Sequence, residues 1–294
     1  MKKLTRKSKV ALLSVLSNSV LIILKVTAGV LSGSISIISE AIHSGMDLIA
    51  SLIAFFSVTR SSKPADKEHP YGHGKIENIS GAVEGILIFV AAGMIIFEAI
   101  KKMFETTEIE QAHIAIAVML TSAIVNFFVS RKLYKTSKEE DSMALAADAL
   151  HLKTDVYTSL GVSLGILLIE LTGLRILDSI VAILVALLII KEAWELCSNA
   201  VEYLIDVKLT DEEENEIEAI IKTHSGRIID YHKLKTRKSG DRRHIDFHIT
   251  LDPDLSVKEA HDIIGGFKKD IGERFPGARV NVHIDPYREN EEQQ

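Results

Sequence analysis

Glu40-Ala41-Ile42-His43-Ser44-Gly45-Met46-Asp47 and Asp148-Ala149-Leu150-His151-Leu152-Lys153-Thr154-Asp155 are one pattern written twice. Set at an offset of 108 residues, Ala41, His43, Asp47, Ser51 and Leu52 fall on Ala149, His151, Asp155, Ser159 and Leu160, with an acid at 40 and at 148. Both copies sit inside long apolar runs, where ionisable groups are costly and mark function. On a helix, residues four apart share a face, with Cβ atoms about 5–6 Å apart. Each H-x-x-x-D therefore aims an imidazole and a carboxylate at one point. Two such helices facing each other supply two nitrogens and two oxygens, a tetrahedral set that zinc accepts at about 2.0–2.2 Å. The competing explanation is that each His and Asp only satisfies a neighbouring helix. It fits one pair better than the same pair found twice.

Working outward, apolar runs of about 20 residues, the length that crosses a bilayer core, recur six times. They lie near 10–31, 35–59, 79–100, 112–131, 143–171 and 176–197. The first follows Lys2, Lys3, Arg6, Lys7 and Lys9 but is too long for a signal peptide's apolar segment, so it reads as a first helix. With the N-terminus inside, the inner flanks also hold Arg60, Lys63, Lys67, Lys75, Arg131, Lys132, Lys135 and Lys138. The outer flanks hold Lys101, Lys102 and Arg175. Basic residues gather on the cytoplasmic side, so both termini are expected in the cytoplasm of a multi-pass protein of the cell (inner or plasma) membrane.

Charge is distributed to match. Of the 74 charged residues, 34 fall in the last 87 positions, which leaves the first two-thirds far more apolar than the mean hydropathy of +0.19 conveys. The expected organisation is a six-helix membrane domain over 1–207 and a soluble domain over 208–294. A net charge near −6 with 47% apolar residues excludes a disordered chain and argues against nucleic acid as a partner. The single cysteine, Cys197, excludes an internal disulfide and a four-cysteine zinc site.

The last 87 residues read as a small α+β domain. Thr210 caps a helix whose acidic start is Asp211–Glu218. Residues 227–237 and 242–251 alternate as strands joined through Ser239-Gly240-Asp241, and Ser256 opens a second helix to about Arg274. Ala278–Ile284 reads as a third strand. The order α-β-β-α-β implies an antiparallel or mixed sheet of the metallochaperone or ferredoxin-like kind.

Two further groups of ligand-type residues stand outside the spans. After the second span comes Pro64-Ala65-Asp66-Lys67-Glu68-His69-Pro70-Tyr71-Gly72-His73-Gly74-Lys75. Asp66, His69 and His73 suit a metal at the cytoplasmic surface; a solvated loop whose basic residues set topology is the alternative. Its Gly-His-Gly-Lys piece lacks the spacing of a phosphate-binding loop. The tail holds six of the eleven histidines, and His283-Ile284-Asp285 puts a nitrogen and an oxygen on one strand face. Scattered surface histidines are the plain alternative there. Within the spans, Asn18, Lys25, Glu84, Glu98, Asn126 and Glu170 suit helix–helix partners, pore-lining groups or snorkelling ends.

Taken together, the six spans, the paired H-x-x-x-D, the P-A-D-x-x-H-x-x-G-H-G-K loop and the α-β-β-α-β tail resemble the cation diffusion facilitator family of metal exporters. The resemblance runs from Lys9 to Pro286. It implies a homodimer exchanging a cytoplasmic divalent metal for protons. It makes His43, Asp47, His151 and Asp155 the transport site and Asp66, His69 and His73 a loop site. It makes His232, His248, His261, His283 and Asp285 a binuclear site at the dimer interface. Lys75 and Asp206 match a charge pair that interlocks the helix bundles. Some bacterial members carry Asp at the position of His43, and manganese-type members usually place harder oxygen ligands at one or both histidines; with histidine at both 43 and 151 this chain resembles the zinc-preferring type, and nitrogen donors favour Zn²⁺ over Mn²⁺. Manganese, iron, cobalt and cadmium stay open as substrates.

The function expected is proton-coupled efflux without enzyme activity. A metal sensor or scaffold is the rival class, but a pure sensor needs no metal ligands at bilayer depth. An intramembrane metalloprotease needs an open coordination position and a general base, whereas no H-E-x-x-H is present and four protein ligands close the shell.

Overall fold

A computed structural model describes residues 4–32, 35–104, 112–174, 176–224 and 226–287, and it divides into two compact units, 1–201 and 202–294. The first is built from six long helices: α1 (Arg6–Ser32), α2 (Ile35–Ser61), α3 (Lys75–Lys102), α4 (Ala112–Glu139), α5 (Met143–Thr172) and α6 (Ile176–Leu204). Each has 27 to 30 residues. At about 1.5 Å per residue that exceeds the ~30 Å of a bilayer core. Among the described residues, Arg6–Leu31 and Lys75–Lys102 combine this length with stretches of mean hydropathy 2.0 and 2.2 and few charges. For the other four helices the expected spans rest on length and position. Arg175 and residues 33–34 of the first turn lie outside the described residues, as do the side chains of Glu40 and Glu170.

Packing places α5 at the centre. Its Leu145, Ala149 and Leu152 join Ala11 of α1, Val58 of α2 and Leu133 of α4 in one buried cluster. Its Ala147 joins Ile88 and Ala92 of α3 and Ile189 and Ala193 of α6 in a second. Small residues let these backbones approach, as helices must in a solvent that gives no hydrophobic drive between them. Gly85 of α3 is the tightest case: a Cβ there would lie 2.3 Å from Cys197 Sγ. Large apolar side chains point outward instead, among them Leu16, Ile23 and Val30 of α1 and Ile86, Val90 and Phe97 of α3. In water that surface would be an aggregation hazard; against lipid it is the favourable arrangement.

The second unit has its own core. Helices α7 (Asp211–Thr223) and α8 (Val257–Arg274) cover one face of a three-stranded sheet of order β1 (Asp230–Ser239), β2 (Arg242–Leu251), β3 (Arg279–Pro286). Strands β1 and β2 pair antiparallel, whereas β2 and β3, joined through α8, pair parallel, so the sheet is mixed. Alternation in β2 sends Ile245, Phe247, Ile249 and Leu251 into the core against Phe267 and Ile271. Capping boxes at Thr210–Glu213 and Ser256–Glu259 start both helices. Strand β1 begins at Asp230 rather than 227 and carries a bulge between His232 and Lys235, with Lys233 at φ 55°. The extra residue keeps His232 and Lys235 on the outer face while Tyr231 and Leu234 pack inward.

Candidate metal centre in the helix bundle

Helix α2 brings His43 and Asp47 to one side, and α5 brings His151 and Asp155 to meet them. Asp47 is buried, with its Oδ1 3.2 Å from His151 Nε2 and 4.0 Å from His43 Nε2. Donor atoms of His43, Asp47 and Asp155 all fall within 4.8 Å of one another. The mutually close set is thus His43, Asp47 and Asp155, and His151 stands against it through Asp47 rather than within it. His151 is almost fully buried and His43 is open, its side chain 54% exposed. The set therefore has a closed side and an accessible one.

Neighbouring polar residues hold this set, and single-residue reasoning had left their roles undivided. Asn18 of α1 donates to the Asp47 carbonyl at 3.4 Å, and Asn126 of α4 donates to Asp155 Oδ2 at 3.3 Å. Ser14 donates to Asp148 Oδ1 at 3.1 Å, and Ser80 donates to Glu84 Oε1 at 3.1 Å. Lys25 is buried and donates to Ser44 Oγ at 2.7 Å, so it is a partner within the bundle rather than a snorkelling end. Glu98 is exposed. Outer contacts of this kind fix ligand orientation and commonly matter nearly as much as the ligands. No periodicity announces them.

In the loop, Asp66 Oδ1 accepts from the His69 backbone N–H at 2.7 Å, and His69 Nδ1 lies 3.2 Å from the same oxygen. His73 Nε2 stands 3.4 Å from Asp66 Oδ2, with the two imidazole rings 4.5 Å apart. The hydrogen bond from the His69 backbone, followed by the nearby imidazoles, holds the Asp66 carboxyl below the usual carboxylate range. His73 is buried and its Nδ1 meets no partner among the described residues. One carboxylate and two imidazoles converging here fit a divalent metal.

In the tail, strand register does the assembly. His232, His248 and His283 are cross-strand neighbours on β1, β2 and β3. All three reach Asp285: His248 Nδ1 lies 2.9 Å and His232 Nε2 3.2 Å from Oδ2, and His283 Nε2 lies 3.3 Å from Oδ1. The His248 hydrogen bond is the main cause of a lowered Asp285 pKa. His261 is exposed on α8 and does not belong to this cluster within the chain. Lys75 opens α3 in the first unit; Asp206 belongs to the second, where it accepts from Arg237 Nη1 at 3.2 Å.

A multi-helix bundle with converging ligands in its interior, followed by a ligand-bearing α+β domain, defines a membrane protein that handles metal ions. Residues 11–205 match the model of the cation efflux transmembrane domain, and residues 209–287 match that of the cation efflux protein cytoplasmic domain. The chain belongs to the cation diffusion facilitator family of divalent-metal efflux transporters. It is 32% identical to the uncharacterized transporter sll1263 of Synechocystis sp., over 90% of this chain and 85% of the relative. It is 31% identical to the manganese efflux system protein MneP of Bacillus subtilis, over 95% and 96%. It is 31% identical to the cation-efflux pump FieF of Pectobacterium atrosepticum, over 91% and 88%. A solved chain of CzrB aligns at 32% identity over 27% of this chain and 98% of its own, with a TM-score of 0.26.

Proposed function

We propose that this protein exports Zn²⁺ from the cytoplasm in exchange for protons, as a homodimer in the cell membrane with both termini inside. The observation that carries this reading is the grouping of His43, Asp47 and Asp155 from α2 and α5, with His151 Nε2 3.2 Å from Asp47 Oδ1. Two imidazole nitrogens and two carboxylate oxygens suit zinc better than a harder ion. Binding requires neutral imidazole and ionised carboxylate, so metal arrival releases protons and proton arrival releases metal. Asp66, His69 and His73 act as a cytoplasmic loop site, and His232, His248, His261, His283 and Asp285 as the dimer-interface site. For His261 that role requires ligands from a second copy. Lys75 and Asp206 serve as the charge pair between bundles.

Manganese is the second reading, supported by the likeness to MneP over nearly the whole chain. Iron, cobalt and cadmium complete the set to be tried, and a sensor without transport is the rival class. Initial rates of metal entry into proteoliposomes, with and without an imposed proton gradient, test all of them. Fastest gradient-dependent flux with zinc is expected. Flux of manganese but not zinc would overturn the metal assignment, gradient-independent flux the coupling, and absence of any flux the transporter reading itself.

A further inference from the structure

Asn126 lies on the inward face of α4, at the helical spacing that also buries Ser122, Val129 and Ser130. It is 5% exposed. Its Nδ2 donates to Asp155 Oδ2 at 3.3 Å, and Asp155 is one of the three residues whose donor atoms lie within 4.8 Å of one another. The other end of the same amide, Oδ1, is buried and accepts no hydrogen bond. A buried carbonyl oxygen without a donor is costly. Holding a carboxylate does not require that cost: a serine or threonine hydroxyl donates as well and brings no second polar atom. The amide oxygen is the part of Asn126 that orientation of Asp155 leaves unexplained.

The last torsion of an asparagine side chain is broad and roughly two-fold. A half-turn about it exchanges the two ends and sets Oδ1 where Nδ2 stands, 3.3 Å from Asp155 Oδ2. One end of the amide is unpaired in either arrangement, so the exchange strands no further polar atom. Two oxygens bound to one ion at about 2.0–2.2 Å lie about 3.0–3.4 Å apart. The turned amide oxygen is therefore placed to share an ion with Asp155. Without an ion, a carbonyl facing a carboxylate is repelled and the N–H end is favoured; a divalent ion reverses that preference. Zinc is satisfied by four donors. Harder ions such as Mn²⁺ take six, and prefer carboxylate, carbonyl and water oxygens. We propose that Asn126 is a metal-selecting residue of the transport site, whose amide oxygen joins the shell of Mn²⁺ but not that of Zn²⁺. This rests on the export reading, which makes that site the one through which metal passes.

The test is the ratio of KM for Mn²⁺ to KM for Zn²⁺ in proteoliposomes reconstituted with the full-length protein. Asn126→Leu fills the space of the amide with neither donor nor acceptor. Its ratio is expected to rise about tenfold, the lower end of what losing a group at a metal site does. Asn126→Asp keeps an oxygen at the same place and loses the N–H, so its ratio is expected to fall below the wild-type value. An asparagine that only orients Asp155 would shift both metals together, and an unchanged ratio in Asn126→Leu would overturn the proposal. So would a ratio in Asn126→Asp that rises as in Asn126→Leu. Should Asn126→Leu not reach the membrane, Asn126→Val carries the same comparison. Equilibrium dialysis of the purified full-length protein against Mn²⁺ gives a second readout without transport. The share of the transport site is the binding that Asp47→Ala loses, and it should weaken about tenfold in Asn126→Leu and persist in Asn126→Asp. A wild-type protein with no Mn²⁺ bound in that share would overturn the proposal. Absence of flux for every metal in the wild type would instead remove the export reading, while dialysis still decides whether Asn126 is a ligand.

Discussion

Asp285 is the point at which the tail cluster can be broken by one atom exchange. Both of its oxygens are engaged, Oδ2 by His248 and His232 and Oδ1 by His283. Asp285→Asn keeps the shape but removes the carboxylate that all three imidazoles reach. Residues 202–294 form a compact unit with their own core, so a fragment of that length suits the measurement. At a free zinc concentration about 100 times Kd, binding to the folded state alone stabilises it by about 2.7 kcal/mol. For a domain of this size each kcal/mol moves Tm by about 4–8 °C, so the wild-type fragment should melt about 10–20 °C higher with zinc.

Loss of a ligand should weaken Kd by about 100-fold, the upper end of what removing a mere supporting contact does. The same zinc concentration then equals Kd, the increment drops to about 0.4 kcal/mol, and the Tm shift shrinks to about 2–3 °C. Thermal melts by circular dichroism give both numbers, and sedimentation gives the zinc dependence of dimerisation. Acid should act in the same direction as the substitution. The Asp285 carboxyl is held low by His248, so its contribution is present above the ordinary carboxylate range and fades as pH falls through the lowered value. Zinc competes with protons for the imidazoles, so its increment should vanish earlier in the descent. Equal zinc shifts in wild type and Asp285→Asn would refute the reasoning, as would a wild-type fragment indifferent to zinc.

Asp47→Ala and Asp155→Ala should each abolish zinc flux while leaving a folded dimer, since apolar packing of α2 and α5 is untouched; near-normal flux in either would dismantle the proposed site. His43→Asp adds a carboxylate where the accessible imidazole stands. It should keep transport but move relative initial rates from zinc toward manganese, iron or cadmium; an unchanged ratio would place His43 outside the ligand set. Gly85→Ala drives a Cβ into Cys197 Sγ. It should lower detergent melting stability by about 1–3 kcal/mol, largely restored by adding Cys197→Ala; a single variant as stable as wild type would show that the α3–α6 contact is looser than drawn.

The candidate ligands of α2 and α5 could be picked out because helical spacing turns H-x-x-x-D into geometry without knowledge of the fold. Asn18, Asn126 and Lys25 were not, because one polar residue in an apolar run fits several roles until its partner helix is known. Hydropathy also under-measured the helices. Charged ends such as 131–139 of α4 continue the helix after the apolar stretch stops, so α1 starts at Arg6, α4 ends at Glu139 and α6 ends at Leu204. In the tail, the His283–Asp285 pairing follows from strand alternation. The row His232–His248–His283 needs the register of both ladders and the bulge at Lys233, which are set by the hydrophobic core rather than by the histidines.

That same packing bears on how access to the site can change. The four motif residues and the two asparagines that hold them come from α1, α2, α4 and α5, the helices of one buried cluster. Helices α3 and α6 pack on the other side of α5 through Ala92, Ala147 and Ala193. The alanines bring the backbones close there, while Ile88 and Ile189 are buried in the same cluster. On the export reading proposed above, a displacement along this contact would change which side of the proposed ligand set is open, as alternating access of a single site requires. Resistance to such a displacement is built in at the end of the bundle where α3 begins. There Glu77 accepts from Ser61 of α2 at 2.6 Å and from Ser142 just before α5, and stands 3.5 Å from Lys7 of α1. All four groups are from helix ends rather than from the site. On that reading, the cost of opening at that end is set by contacts that can be exchanged for water rather than by the proposed ligands.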